Sequence, residues 1–505
     1  MRVVKYLFLV IFALIFFGVG LASFTARTSY TDIRPVSEFD AVKFVAPNSE
    51  YRSELVRDWF QQSLLGERML WARNTIDFRV FNALRTGEVI SGNSGDWLFF
   101  AQDFQYCFSR PVIDQTMRAV RALDTVARGA GLDLHVSVSP DKSSIYPEFV
   151  PSEVISQAQC RYLNAQYRRE LYAESDLRVL DLTGALLEAK SVGLAYDYTD
   201  THWNTFGVIS GLNALFEDSI STTIVPGGLD PTIYPGSAGE PEERDLARLA
   251  RLGAIERPLR PRHPPTNVND DHRPVFIVHD SFLRAGEAFI RRSLPGAQMV
   301  HYNDANRVLP SYPPLQPGTL VMLNSVERQY FGRFMTNLLQ RNPDLRAIVE
   351  FLQKSNRVQA AQCQMARLSP DAVGVVNMQG SAARYTLARD PQILVGLPEG
   401  PPHPEARPCF RVRYSRAARN SADQYFFPTP QNRFLPGYQL DVFPERDDNV
   451  VVSSIVLPAD FAGRIFRYDL AGGVASITDL QVETGWYYPS GVPTISSSPD
   501  QAEGG

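Results

Sequence analysis

The pattern of apolar residues changes character once along this chain, near residue 356, and that change limits the folds open to it. Before it, short apolar runs alternate with stretches whose apolar residues recur at three and four. Between Ser53 and Arg85, Leu55, Trp59, Leu64, Leu65, Met69 and Leu70 carry the helical spacing. Helical patterns also cover 114–130, 184–190, 204–216 and 327–354. Between them lie strand-type runs, LDLHVSVSP, LRVLDLT, PVFIVHDS, AQMVHY and TLVMLN. PVFIV is apolar on both faces, as a strand covered on both sides must be. Strands alternating with helices predict an α/β unit with a mainly parallel sheet over 51–355. Beyond it only short alternating runs appear, among them RYTLARD, CFRVRYS, YQLDVFP, NVVVSSIVLP and GRIFRYDL. These predict a C-terminal all-β sandwich over 356–490. Residues 226–265, rich in Pro, Gly and charge, read as a long surface excursion, and 491–505 as a disordered tail.

The first residues bear on the compartment. Arg2 and Lys5 precede Tyr6–Ser23, a chargeless run about long enough to cross a bilayer as a helix. Basic residues before it predict a cytoplasmic N-terminus, with the rest of the chain outside the cytoplasm. Residues 1–24 are therefore read as an inner-membrane signal anchor. A cleaved signal peptide and release to the periplasm is the alternative, because Gly20-Leu21-Ala22 offers small residues to a peptidase. Residues 25–50 read as a linker. The four cysteines form no CxxC pair, so their spacing suggests no zinc site. In an oxidising compartment they predict disulfides; of the three possible pairings, Cys107 with Cys160 and Cys363 with Cys409 is preferred because each bridge then falls inside one domain, and free buried thiols are the alternative. A net charge of −5 gives no sign of the basic domain that nucleic-acid binding needs. No phosphate-binding loop is present, and no metal or cofactor is expected.

Two segments carry residue types suited to chemistry. In Tyr196–Asn204, YDYTDTHWN, Asp200 and His202 stand two apart and would project to one side of an extended segment. A carboxylate placed there can fix an imidazole in one tautomer and stabilise its charged form. Asp197 is a rival acid, off that spacing. In the second segment, HDSF, Ser281 follows the apolar strand directly, at the carboxyl end where open α/β sheets place their sites. His279 and Asp280 flank the serine, but neighbours on a strand point to opposite faces. The plain alternatives are a surface polar pair and a helix cap at Ser281. Asn324, ending TLVMLN, is a candidate oxyanion donor. Arg411 and Arg413, with Arg416 and Arg419 nearby, would line one strand face and could grip an anionic polymer; a solvated face is the alternative.

Taken in order, the motifs resemble those of the alginate O-acetyltransferase family, whose periplasmic members have an SGNH-hydrolase-like domain. That family shows a GWLF-type motif, a P-x-K…YPE stretch, D-x-H-W-N, G-D-S-F and a later E-R pair. Here stand Gly95-Asp96-Trp97-Leu98-Phe99, Pro140-Asp141-Lys142 with Ile145-Tyr146-Pro147-Glu148, Asp200-Thr201-His202-Trp203-Asn204, His279-Asp280-Ser281-Phe282 and Glu327-Arg328. The set covers about 85–330. There are two departures: one residue is inserted between Gly95 and Trp97, and His279 stands where the family has glycine.

By this resemblance Ser281 is a nucleophile, His202 its general base and later acid, and Asp200 the orienting acid, in a permuted chain order. Trp97, Tyr146 and Trp203 would pave a sugar site, with a core role as the alternative. Arg328 would either touch substrate or form a structural ion pair, and Lys142 would pair with a carboxylate. The implied activity moves acetyl groups to hydroxyls of an exported polysaccharide through an acetyl-serine. The implied donor partner is a membrane-bound O-acyltransferase. Two alternatives stand beside it: an acetylesterase with the same residues, and a non-catalytic polysaccharide-binding protein.

Overall fold

The computed structural model describes residues 64–79, 87–221, 245–252, 273–334 and 342–489, apart from short gaps at 95–96, 106–107, 175–176, 251, 399–402, 417–421, 429–433, 435–437, 448, 462–464 and 472–473. The expected anchor, linker and tail, and most of the excursion, lie outside these residues. No helix among the described residues is long and apolar enough to cross a membrane.

After a first helix, Leu64–Arg79, comes an antiparallel hairpin, β1 (Val89–Ser91) with β2 (Leu98–Phe100). Five parallel strands follow: β3 (Asp133–Ser139), β4 (Val179–Asp181), β5 (Val275–His279), β6 (Gln298–His301) and β7 (Leu320–Val326). Their order across the sheet is β4-β3-β7-β5-β6. Every residue of β5 and β7 is buried, as their unbroken apolar runs require.

Alternate residues serve the two faces. Phe276, Val278, Val321 and Leu323 join one core with the helices Arg110–Gly129 and Pro343–Ala360. Val275, Ile277, Leu320 and Met322 join the other with Thr183–Val192 and Thr205–Ile220. The α/β expectation is met.

The C-terminal region is all β, also as expected, but its hydrogen bonding makes one continuous antiparallel sheet of ten strands instead of two facing sheets. These are β8 (Gln364–Arg367), β9 (Val373–Ser381), β10 (Arg384–Gly396), β11 (Arg407–Ser415), β12 (Asp423–Phe426), β13 (Gln439–Val442), β14 (Glu445–Asp447), β15 (Val450–Val456), β16 (Ile465–Asp469) and β17 (Ser476–Tyr487).

Its apolar residues, including Phe410, Val412, Ile455 and Phe466, belong to the same core as Phe276 and Leu323. Helix Pro343–Ala360 runs past the expected boundary at 355/356 and joins the two parts. Asn356 on it donates to the carbonyls of Val126 (2.8 Å) and Val456 (2.9 Å) and accepts from Val456 N (2.8 Å). A Cβ on Gly129 would stand 1.8 Å from the Val456 carbonyl oxygen, so only glycine permits that approach. Cys363 and Cys409 form the expected disulfide, tying the end of this helix to β11. The pairing of Cys107 with Cys160 falls on residues outside those described.

Candidate active site

Parallel strands end at one edge, and there the scattered motifs meet. Beyond β3 come Asp141 and Lys142, beyond β5 Asp280 and Ser281, beyond β7 Glu327 and Arg328. Asp280 shapes the turn that carries the serine. Its Oδ1 accepts from Phe282 N at 3.0 Å, capping the short helix Ser281–Arg284, and its Oδ2 accepts from Val326 N at 2.6 Å at the end of β7. One buried carboxylate thus ties the ends of two neighbouring strands. Ser281 is exposed at the first position of its helix, where a backbone N–H has no partner within the helix.

The loop 196–203 closes on itself through an antiparallel bridge between Tyr196 and Trp203. It presents Asp200 and His202 to the serine. His202 Nδ1 lies 2.8 Å from Asp200 Oδ1, and its Nε2 lies 3.0 Å from Ser281 Oγ. Asp200 also accepts from His202 N at 2.8 Å, so one oxygen holds both the ring and the backbone of the same residue. The indole of Trp203 donates to the Phe282 carbonyl at 2.7 Å, which pins the loop to the serine turn. The adjoining helix Thr205–Ile220 is capped by Asn204, whose side chain accepts from Gly207 N at 3.0 Å.

Charge around the imidazole is dense. Burial works against a charged His202, but the hydrogen bond and charge of Asp200, helped by Asp245, outweigh it and raise its pKa. Burial likewise pushes Asp200 up, and the hydrogen bonds and charge of His202 outweigh that and lower it. Lys142 is buried beneath the loop. Its Nζ donates to the carbonyl oxygens of Asp197 (2.8 Å), Tyr198 (2.9 Å) and Asp200 (2.7 Å). Burial pushes its pKa down to about 8 against the pull of Asp200 and Asp245. The expectation that Lys142 pairs with a carboxylate is corrected: its contacts are three backbone carbonyls, with the Asp200 carboxylate acting only through space.

Sequence reasoning missed Asp245. It lies in the stretch read as a surface excursion, yet it opens the helix Asp245–Leu249 against the site. Its Oδ1 accepts from Thr201 N at 2.8 Å, its Oδ2 accepts from the Thr201 hydroxyl, and Oδ2 stands 3.7 Å from His202 Nδ1. Burial and then the charge of Asp200 raise its pKa. One ligand atom from each of Asp200, His202 and Asp245 lies within 4.8 Å of the others, the spacing of a three-ligand metal site. The hydrogen bonds argue for another use: Nδ1 must carry a proton to donate to Asp200, and both Asp245 oxygens accept from Thr201.

Other expected site residues are placed differently. Asn324 is wholly buried, and its amide nitrogen donates to Ser137 Oγ (2.9 Å) and Ser139 Oγ (3.0 Å), leaving no donor for an oxyanion. Trp97, Tyr146 and Trp203 are core residues, at most 4% exposed, so they do not pave a sugar surface. Trp97 stacks on Phe149 at 4.4 Å, and Tyr146 Oη accepts from Ala195 N. Arg328 is also buried, paired with Asp141 and 3.4 Å from Asp103, which makes it an ion-pair residue. On β11, Arg411 and Arg413 do share the outer face between buried Phe410, Val412 and Tyr414. Arg411 is already paired with Glu483 at 2.9 Å, and Arg416 lies buried against Asp423; Arg419 is outside the described residues.

The His279 ring is buried. It faces the Asp280 carbonyl (3.0 Å), Glu287 (3.4 Å) and the His301 ring, so it leaves the serine side unobstructed.

Residues 89–281 match the model of the SGNH hydrolase-like domain of acetyltransferase AlgX. The match begins at β1 and ends on Ser281. A probable alginate O-acetylase AlgJ of Azotobacter vinelandii is 30% identical over 209 residues, 39% of this chain and 50% of that protein. The Pseudomonas putida protein of the same name is 26% identical over 233 residues, 45% of this chain and 57% of that one. The chain thus spans about half the length of the curated relatives it matches. Pseudomonas aeruginosa AlgX aligns over 82% of this chain and 97% of its own, at 13% identity and a TM-score of 0.34. On the family match and the AlgJ relatives, the chain carries an AlgX/AlgJ-like SGNH hydrolase-like domain.

Proposed function

We propose that this protein is an O-acetyltransferase acting on hydroxyls of an exported polysaccharide, with Ser281 as nucleophile, His202 as base and acid, and Asp200 as the acid that orients it. The observation that carries the reading is the single imidazole held between Asp200 Oδ1 at 2.8 Å and Ser281 Oγ at 3.0 Å. In the first half-reaction His202 Nε2 takes the Ser281 proton as Oγ attacks the acetyl carbonyl. The donor's alcohol leaves with that proton, and acetyl-serine remains. In the second half-reaction His202 deprotonates a sugar hydroxyl, which attacks the ester and restores the serine. The Ser281 backbone N–H is the nearest candidate for the developing oxyanion. The AlgJ relatives support an acetylated polysaccharide as product.

Location and partner belong to the same proposal. The chargeless run Tyr6–Ser23 behind Arg2 and Lys5 supports an extracytoplasmic protein anchored to the inner membrane. The Cys363–Cys409 disulfide fits an oxidising compartment. An acetyl donor would then have to be supplied across the membrane, a task suited to a membrane-bound O-acyltransferase.

The test incubates the purified protein with an activated acetyl ester, with and without oligosaccharide. Mass spectrometry should find an acetyl group on Ser281, lost in Ser281→Ala and His202→Ala, and acetylated sugar should appear when acceptor is present. Acetate release at the same rate with and without sugar would show an esterase. Full acetylation by Ser281→Ala would remove the serine from the mechanism.

A further inference from the structure

We propose that Asp245 is a second acidic positioning residue of this site, brought in by a separate segment and acting on His202 alongside Asp200; the inference rests on the activity reading above. Asp245 does two things at once. Both oxygens accept from Thr201, one from its N–H and one from its hydroxyl, which fixes the backbone between Asp200 and His202. The same carboxylate stands 3.7 Å from His202 Nδ1, and its own N–H donates to Asp200 Oδ2 at 3.3 Å. The imidazole therefore has two acids on its Nδ1 side and the serine on its Nε2 side.

The arrangement is built, with its own small core. Leu246, Ala250 and Leu252 pack with Phe78, Val89 and Leu98 in a cluster apart from both faces of the main sheet. Asn74 donates to the Ala250 carbonyl at 2.8 Å, and Ala247 N donates to Thr199 O at 3.1 Å. Helix Leu64–Arg79 and the β1–β2 hairpin thus hold Asp245 in place.

The charged and titratable groups around the imidazole come from several elements. Asp200 lies on its own loop, Asp245 on the helix Asp245–Leu249 and Ser281 at the end of β5. Lys142 lies beneath the loop, and Arg328 begins the helix after β7. Arg328 opposes a charge on His202, but two carboxylates hold it. Lys142 is occupied by three carbonyls. The second carboxylate then favours the imidazolium that forms when His202 takes the serine proton.

The experiment follows His202 itself. The full chain is labelled with 13Cε1-histidine, and the His202 signal, identified by its loss in His202→Gln, is titrated by NMR. Asp245→Asn should lower the His202 pKa by about one unit, and Asp245→Glu should return it toward the wild-type value. The acid limb of the pH–rate profile should move down with it. An unchanged or raised pKa in Asp245→Asn overturns the proposal. If that variant does not fold, Leu246→Ala, which loosens the docking from its apolar side, is read in the same way: a fall supports the proposal and no change overturns it. The titration needs no turnover, so a shift without acetyl transfer would sink the activity reading alone, and transfer without a shift would sink only the role of Asp245.

Discussion

Lys142 Nζ donates to the carbonyl oxygen of Asp200 at 2.7 Å, so a buried cation holds the backbone of the residue that holds His202. Three carbonyls need three donors, and only the charged ammonium has three. Lys142→Met should lower acetyl transfer roughly 10- to 100-fold by misplacing the Asp200–His202 pair. The pH dependence of stability has a definite sign. The folded pKa, about 8, is below the ordinary 10.5, so the unfolded chain binds more protons between these values. The contribution of Lys142 to stability is therefore full above 10.5 and lost as pH falls through 8. Urea unfolding should show the wild type gaining on Lys142→Met by about 3 kcal/mol between pH 7 and pH 11.

Asp200→Asn should cut the rate by roughly a thousandfold or more, because the amide no longer selects the tautomer with its proton on Nδ1. In the proposed mechanism the neutral imidazole is the base, so activity should rise as pH passes through the His202 pKa, which the fold raises above its ordinary value. In the variant the residual rate should rise at lower pH, read from kcat/KM against pH. The raised pKa also means that His202 contributes stability fully below pH 6.5, lost as pH rises through the folded value.

Asp280 is a structural test of the serine turn. Asp280→Ala removes the cap on Phe282 N and leaves the buried Val326 N–H without an acceptor. The loss of stability in denaturant should be roughly 2–4 kcal/mol. Asp280→Asn, which keeps one acceptor oxygen, should recover about half of it.

The Cys363–Cys409 bridge closes a separation of 46 residues. Chain-entropy arithmetic gives such a loop about 4 kcal/mol. Cys363→Ser with Cys409→Ser should lower the urea midpoint accordingly. Acetyl transfer at 25 °C should change less than twofold, because the bridge fastens the helix end to β11 and touches none of the site residues.

Much of this was legible in the sequence because parallel strands end at one edge. Once β3, β5 and β7 are recognised, Lys142, Ser281 and Glu327 must gather there whatever their separation in the chain. The Asp-x-His spacing likewise carried through to the geometry. Burial was less visible. Asn324 ends the apolar run TLVMLN, a position that suggests a functional group, but β7 continues to Val326, the parallel register sets Asn324 opposite Ser137, and the two serines of β3 take its amide. Trp97 and Trp203 read as sugar platforms or, more readily, as core. Asp245 left no periodic signal, because a five-residue helix within a Pro-, Gly- and charge-rich stretch is too short for one. The helix Pro343–Ala360 reads as ending early because its last turns carry Ser355, Asn356 and Gln359, polar residues that are buried: Ser355 accepts from Leu315 N, while Asn356 and Gln359 bond to Val456 and Tyr487 of the second sheet.

Asn356 has a consequence for how such a protein can change over time. With one side chain bonded to Val126 on the first unit and to Val456 on the second, and with apolar residues of both in one core, the described parts share one packed interior. The second sheet is not a bead on a string that could be traded between relatives without rebuilding the helix beneath it.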